Sequence, residues 1–344
     1  MRITFQTKSG IFAIDCEPGE NVLYAGLRSG LFLPYECATG TCGTCRCRVM
    51  DGAVDLQWQD APGLAYVKRD RCETLMCQAR ANTDCTVRVP STVAQLFGAP
   101  DGRHGQLTSL ERLTHDVVSF SVRLDDALSY HAGQFVVLVV PGVAGGRAYT
   151  MTNHAESVDT MRFVVKRKPG GAFSDWLFEE SPIGSNIYVF GPLGKATFDP
   201  SEDKNILCIA GGSGIAGMMA ILEHGTRCGY LGAHSADIFF GVRTKDDLFF
   251  AEDLSRYVEA AWDAVTVTVA LSEDEPDDAL QAQFPRLHFA PGLVHTVAAK
   301  CMANRYDNVI GYVAGPPPMV DGALRVLVLE GRLPSTDIRY DKFS

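Results

Sequence analysis

Four cysteines fall within eleven positions of the stretch YECATGTCGTCRCRVM: Cys37, Cys42, Cys45 and Cys47. The first three are spaced C-x4-C-x2-C, and Cys77 follows in LMCQA after thirty-one intervening residues. This is ligand spacing for a [2Fe–2S] cluster, whose two irons and two sulfides need four converging thiolates. Gly40 and Gly43 let a loop turn tightly enough to point three thiols inward. The small residues Ala38, Thr39, Thr41 and Thr44 let backbone amides approach the sulfurs, where hydrogen bonds tune the reduction potential. Two cysteines compete for the fourth place. Cys72 lies in the charged stretch KRDRCE, whereas Cys77 follows Leu75 and Met76, and the apolar setting favours Cys77 as the ligand. Cys47 opens the strand-like alternation RCRVM, which turns its thiol away from the loop. Zinc is the other use of the Cys42–Cys45 CxxC pair, but a zinc ribbon calls for a second such pair, which the chain lacks.

A second group lies in RAYTMTN, residues 147–153, with KPGGAFS at 168–174. Arg147 can fork onto a pyrophosphate, Tyr149 can stack on a flat ring, and the Thr150 hydroxyl can bond a ring nitrogen. A third group begins with GGSGIAG. There Gly212, Gly214 and Gly217 form GxGxxG between an apolar strand and an apolar helix, so that backbone amides and a helix N-terminus can receive phosphates. The acidic residue of the full dinucleotide fingerprint is missing, because Val242 and Arg243 follow IFFG. Further on, Ala314, Gly315, Pro316, Pro317, Pro318 and Met319 form a turn. Its glycine admits a ligand close to the backbone, and its prolines fix the loop.

Three scaffolds must position these groups, and 344 residues suffice for two or three domains with separate cores. The fold class expected is multidomain α+β. Residues 1–92 carry the cysteine loop, and VAQLFGAPDGRHG contains a linker at 93–103. Residues 104–200 hold short alternating runs such as VVSFSVRL, GQFVVLVV, MRFVVKRK and NIYVFGP, which predict an antiparallel barrel. Residues 201–344 alternate the buried strands NILCIAGG, ADIFFGV, AVTVTVAL and NVIGYVAG with helices, which predicts a parallel sheet.

Residues 1–92 resemble a plant-type ferredoxin domain, with two strands near 3–6 and 11–15, a helix over 21–28 and then the cluster loop. The resemblance implies a β-grasp fold and a one-electron carrier. RAYT followed by GGAFS resembles the flavin domain of the ferredoxin–NADP reductase family, in which RxY[ST] holds FAD. By that resemblance Arg147 contacts the pyrophosphate, Tyr149 stacks on the isoalloxazine and Thr150 faces its N5. Gly171, Ala172, Phe173 and Ser174 would cradle phosphates through their amides, with Val165 and Lys166 near the adenosine half. The last domain is similar to the same family, whose turns read GGxGxxP and CGPPPM. It implies NAD binding by Gly212, Ser213, Gly214, Arg243, Gly315, Pro316 and Met319. The departures are Gly217 in place of proline and Ala314 in place of cysteine. Arg243 is expected at the adenosine ribose or at a 2′-phosphate. With only Lys245 as a basic companion, NADH is favoured over NADPH. Phe343 either covers the flavin face that nicotinamide must reach or belongs to a frayed terminus.

The order ferredoxin, FAD, NAD resembles the reductase components of bacterial multicomponent oxygenases. It implies electron flow from NADH through FAD and the [2Fe–2S] cluster to an oxygenase (hydroxylase) component or its ferredoxin. Flavin can hold one electron or two and so joins a hydride donor to a one-electron acceptor. The stretch LQWQDAPGLA, residues 56–65, resembles reductases of toluene-type diiron monooxygenases, which places aromatic or hydrocarbon monooxygenation ahead of a Rieske dioxygenase. A deoxysugar dehydratase partner ranks third. A redox-responsive binding protein without turnover is the reading from a different class.

Composition narrows the field. With 46% apolar and 21% charged residues the chain is globular, and its net charge of −10 speaks against a nucleic-acid surface. The uncharged run 206–222 is broken by Gly211, Gly212, Ser213 and Gly214, so a strand, turn and helix are expected there and no membrane insertion. The start MRITFQTKSGIFAID lacks a signal-peptide pattern, and a cytoplasmic protein is expected. Reduced thiols then favour ligation over disulfides. The dispersed Cys16, Cys85, Cys208, Cys228 and Cys301 are expected as small buried hydrophobes.

Overall fold

The computed structural model describes residues 1–94, 99–179, 182–261 and 264–343. Of the expected linker, residues 95–98 lie outside the described residues. Its last part is not a linker but the start of a strand that begins at Asp101.

Strands β1 (Arg2–Thr7) and β2 (Gly10–Asp15) form an antiparallel hairpin, followed by helix α1 (Val22–Arg28). The Asn21 side chain caps α1 by accepting from the Tyr24 amide at 2.9 Å. Short strands β3 (Arg46–Asp51), β4 (Val54–Leu56), β5 (Glu73–Leu75), β6 (Ala79–Ala81) and β7 (Cys85–Arg88) follow. The main sheet runs β2-β1-β7-β3-β5, with β4 and β6 paired separately. Residues 22–27 of α1 are all buried, and Gly26 lets the helix come close to Phe5 and Leu33. Alternation sets the faces of β3: Cys45 and Cys47 are buried while Arg46 points outward.

Strands β8 (Asp101–Arg112), β9 (Val117–Leu128), β10 (Phe135–Val139), β11 (Arg147–Thr150) and β12 (Val158–Lys166) precede helix α2 (Ala172–Glu179) and strand β13 (Asn186–Leu193). They make a six-stranded sheet ordered β11-β10-β13-β8-β9-β12, with β9 paired to β12 and β10 to β13, both antiparallel.

Then come β14 (Asn205–Gly211), α3 (Ile215–Arg227), β15 (Ala236–Val242), α4 (Ala251–Ala260), β16 (Val265–Leu271), α5 (Asp278–Gln283), β17 (His288–Pro291), α6 (Val294–Cys301), β18 (Val309–Gly315), α7 (Pro317–Arg325) and β19 (Ile338–Lys342). The sheet order β17-β16-β15-β14-β18-β19 is parallel throughout. Its central strands are buried on both faces, which explains their unbroken apolar runs. The chain up to Lys342 is therefore not frayed, because β19 adds a sixth strand beside β18.

Backbone contacts divide the chain into two units. One holds Met1–Gly105, Phe135–Ala148 and Ser185–Leu193; the other holds Gln106–Gln134, Tyr149–Gly184 and the chain from Gly194 on. The first has its core around Phe5, Leu23, Leu27 and Phe190, and the second around Ile206, Phe240 and Tyr312. Cys16, Cys85 and Cys208 are buried as expected, whereas Cys228 and Cys301 are exposed. Both lie at helix C-termini, Cys228 as the cap of α3 and Cys301 as the last residue of α6, beyond the apolar stripe.

Candidate functional site

The cysteine loop gathers four thiols. Cys45 and Cys77 are buried with their sulfurs 3.2 Å apart, while Cys37 and Cys42 are half-buried. Backbone amides point at the sulfurs: Thr39 and Cys42 donate to Cys37 Sγ at 3.5 and 3.4 Å, and Thr44 donates to Cys42 Sγ at 3.4 Å. The loop can do this because Ala38, Gly40 and Gly43 all take positive φ (55°, 94° and 77°). A side chain at Gly40 would meet Gln78, and one at Gly43 would meet the Tyr66 ring.

Crowding shows in the protonation of these groups. Cys37 is held down at about 4, first by the hydrogen bond from the Cys42 thiol and then by Thr41 and the amides of Thr39 and Cys42. Cys42 is pushed up by that same hydrogen bond and by burial, and Cys77 by its bond with Cys45 and by burial. Four thiolates in this space require a multivalent cation, and a donor set of four sulfurs with amide hydrogen bonds fits a [2Fe–2S] cluster. Cys72 is exposed at the end of a turn, with φ 58°. Cys47 is buried on β3 opposite Thr74, off the loop.

On β11, Arg147 donates to the carbonyls of Ala144 and Gly146 at 3.3 and 3.0 Å, and its guanidinium lies 5.2 Å over the Trp58 ring. Tyr149 meets Phe173 at 5.0 Å and Phe120 at 6.5 Å between ring centroids. Phe173 and Ser174 begin α2 with buried side chains. The Gly171 amide donates to the Lys168 carbonyl at 2.8 Å, and the Ser174 hydroxyl bonds Lys168 and Gly171, so these two groups are bonded within the turn. That leaves the remaining first-turn amides of α2 as the donors of the expected cradle, the Asp175 amide being bonded to the Gly171 carbonyl. Val165 is fully buried and serves as wall.

The two glycine turns of the second unit touch. A side chain on Gly214 would strike the Ala314 carbonyl, and one on Gly315 would strike Met319 and lie 3.2 Å from the Gly211 nitrogen. Gly211 itself sits against Pro316, at 3.3 Å from where its Cβ would be. Gly212, with φ 54°, and the half-buried Ser213 open the turn into α3. This bare backbone, next to the positive end of α3, fits a dinucleotide. Beside it, Thr150, Gly217, Met218, Tyr312, Ala314 and Asp341 line a narrow cleft. Gly217 keeps it open toward Thr150, since a Cβ there would lie 3.3 Å from Thr150 Cγ2. Phe343, exposed, follows β19, and its amide donates to the Gly315 carbonyl at 3.3 Å.

Arg243 and Lys166 share the carboxylates of Asp116 and Asp247. Lys166 Nζ is 3.0 Å from Asp116 and 3.7 Å from Asp247; Arg243 is 3.8 and 3.6 Å from the same pair. Burial would raise the Asp247 carboxyl, but the Thr244 hydroxyl and amide, then Lys166 and Arg243, hold it below its usual range. Lys245 is taken by Asp277 at 2.7 Å. Asp116 and Gly133, which also lines the cleft, belong to no motif, and the contact with Arg147 gives Trp58 of LQWQDAPGLA a partner far away in sequence.

Three family models match the chain in order: a 2Fe-2S iron-sulfur cluster binding domain over residues 7–82, an oxidoreductase FAD-binding domain over 104–198, and an oxidoreductase NAD-binding domain over 208–325. The chain is 33% identical over 334 residues to the ferredoxin–NAD(+) reductase component of the alkene monooxygenase system of Xanthobacter autotrophicus, covering 96% of this chain and 98% of the relative. It is 29% identical to the reductase component of phenol 2-monooxygenase of a Pseudomonas species, covering 96% and 91%. Among solved structures it is similar to the ferredoxin reductase in carbazole 1,9a-dioxygenase, with TM-score 0.85, 29% identity and coverage of 100% and 99%.

Proposed function

The chain belongs to the family of iron–sulfur flavoprotein reductase components of multicomponent oxygenases, and we propose that it takes electrons from NADH and delivers them singly to the terminal oxygenase of an aromatic or hydrocarbon monooxygenase system. The observation that carries this reading is the placing of Thr150 and Ala314 in one cleft beside the paired glycine turns. Bound in these sites, NADH would supply a hydride, FAD a centre able to hold one electron or two, and the [2Fe–2S] cluster a one-electron carrier.

The residues have distinct tasks in this reading. Arg147 and the first amides of α2 bind the flavin's phosphates, and Tyr149 orients its ring. Thr150 would offer its hydroxyl to a nitrogen of the flavin ring. Gly212, Ser213, Gly214, Gly315, Pro316 and Met319 seat the nicotinamide nucleotide, and Phe343 covers the approach from the end of β19. Cys37, Cys42, Cys45 and Cys77 hold the iron. Hydride delivery itself calls for no side-chain base, and the one proton left on the flavin after both electrons have gone on singly would pass to solvent. No helix among the described residues is long and apolar enough to cross a membrane. A cytoplasmic location is part of the proposal, in keeping with a reductase that draws on NADH.

A Rieske dioxygenase is the second reading of the acceptor, favoured by the likeness to the carbazole dioxygenase reductase along the whole chain. The test is anaerobic titration of purified protein with NADH, followed by mixing with candidate oxygenases. Bleaching of flavin and then cluster absorbance, with hydroxylation coupled to one oxygenase class, is the expected result. A preparation that holds both cofactors yet is not bleached by NADH would overturn the reductase reading and leave the redox-responsive binding protein.

A further inference from the structure

Alternation on β3 sends Arg46 and Arg48 to one side, away from Cys45 and Cys47. Both reach the same segment: Arg46 Nη1 donates to the Tyr66 carbonyl at 2.9 Å and Arg48 Nε to the Arg71 carbonyl at 2.8 Å. That segment carries Lys68, Arg69 and Arg71, all exposed. Among the described residues none of these five cations lies within ion-pair distance of a carboxylate, although Arg167, Lys204, Lys245 and Lys342 elsewhere are paired. Two carboxylates, Asp70 and Glu73, share the segment and leave a surplus of three positive charges on a chain whose net charge is −10.

The patch adjoins the cluster loop. Tyr66 rests on Gly43, between Cys42 and Cys45, and is 61% exposed despite its size. Cys42 and Cys37 are the two least covered of the four thiols. An exposed tyrosine whose carbonyl accepts from Arg46, in a segment rich in lysine and arginine beside the cluster loop, has the composition of an interface centre. Five cations left without ion pairs on an acidic protein select a partner surface of opposite sign. We propose that Tyr66 with Arg46, Arg48, Lys68, Arg69 and Arg71 forms the docking surface for an acidic face of the acceptor oxygenase component. The proposal rests on the reading that electrons leave through the cluster.

The probe is the soluble domain of cytochrome b5, an acidic one-electron acceptor, with basic cytochrome c as the opposite case. Binding is measured as Kd, which needs no turnover, and each electron passed converts one ferric haem to ferrous. For the holoenzyme, Kd for cytochrome b5 should rise about tenfold or more between about 20 and about 200 mM salt, and reversing the charge of the patch should weaken cytochrome b5 without weakening basic cytochrome c. Lys68→Glu/Arg69→Glu/Arg71→Glu should weaken binding of cytochrome b5 at least about tenfold at low salt and leave NADH–ferricyanide reduction unchanged. Arg69→Gln/Arg71→Gln, a milder change, should shift Kd in the same direction with cluster absorbance intact. Unchanged Kd in both variants would overturn the docking surface. So would equal wild-type binding to phosphatidylglycerol vesicles, lost in the same variants, since that would mark a general anion patch. If instead binding behaves as stated but cytochrome b5 is reduced equally well by Cys77→Ser, the reading of electron exit fails and the surface stands.

Discussion

Tyr24 of α1 and Phe190 of β13 stack face to face, with ring centroids 4.1 Å apart and planes 12° from parallel. The Tyr24 hydroxyl donates to the Ala38 carbonyl at 3.1 Å, so one side chain holds both the cluster loop and a strand of the six-stranded sheet. Tyr24→Phe keeps the stack and strands the Ala38 carbonyl, which should cost about 1–2 kcal/mol. Phe190→Ala empties a fully buried site and should cost about 3–5 kcal/mol. Urea melts of both variants check the ranking. Equal losses would mean that the hydroxyl, not the ring packing, holds the loop.

Ligand choice can be tested at the two competing cysteines. Cys77 Sγ lies 3.2 Å from Cys45 Sγ, whereas Cys72 is exposed on a turn. Cys77→Ser should remove the visible cluster bands and about two irons per chain while NADH still reduces the flavin. Cys72→Ser should leave iron content and spectrum unchanged. The reverse pattern in an iron assay would exchange the two assignments.

What could be read from the sequence was what depends on neighbours along the chain. The C-x4-C-x2-C loop, the glycine turns and the alternation of β3 all follow from local spacing, and the structure brings their residues together. Contacts between distant segments could not be read in that way. Trp58 lies over Arg147 and Asp116 binds Lys166 across long stretches of chain, and neither pair has a motif. The strand β19 escaped for the same reason: IRYDK is short and mixed, and becomes a strand only by pairing with β18. Cys228 and Cys301 depart from the expected burial because burial at a helix end depends on where the helix stops.

Acid should loosen the packing of α3 against the segment that follows β11. His154 and His224 stack at 4.2 Å, and Arg227 donates to both the carbonyl and Nδ1 of His154, whose Nε2 is 2.8 Å from the Tyr130 carbonyl. Glu223 accepts from the His154 amide at 2.6 Å, on the backbone side. Burial first, then Arg227, lowers the affinity of His154 for a proton, although the Tyr130 carbonyl and Glu223 act the other way. His224 is pushed down to about 4 by burial, then by His154 and Arg227. Both imidazoles are therefore neutral when folded and bind protons more readily when unfolded. The contribution is complete above the unfolded value near 6.5 and is lost as pH falls from there toward about 4. His224→Phe should flatten the fall of Tm across this window. A variant whose Tm falls as steeply as the wild type would exclude the histidine pair as its source.

Coenzyme choice follows from which cations are already engaged. Lys245 Nζ is 2.7 Å from Asp277, and its amide donates to Asp274 at 3.2 Å. Arg243 leans on Asp116 and Asp247 with Lys166 beside it. A 2′-phosphate brought here would have to draw both cations off their carboxylates and lie near those carboxylates itself, whereas the hydroxyl of NADH disturbs neither. The ratio of kcat/KM for NADH over NADPH should therefore exceed about ten, or about 1.4 kcal/mol. Asp277→Asn frees Lys245 and should narrow that ratio about three- to tenfold by improving NADPH, with NADH little changed. Lys245→Ala should then weaken NADPH more than NADH in the Asp277→Asn background, since only the phosphate gains from the freed charge. Steady-state kinetics with both nucleotides decide the matter: a ratio near one in the wild type, or one that Asp277→Asn leaves unmoved, would show that these carboxylates do not set the preference.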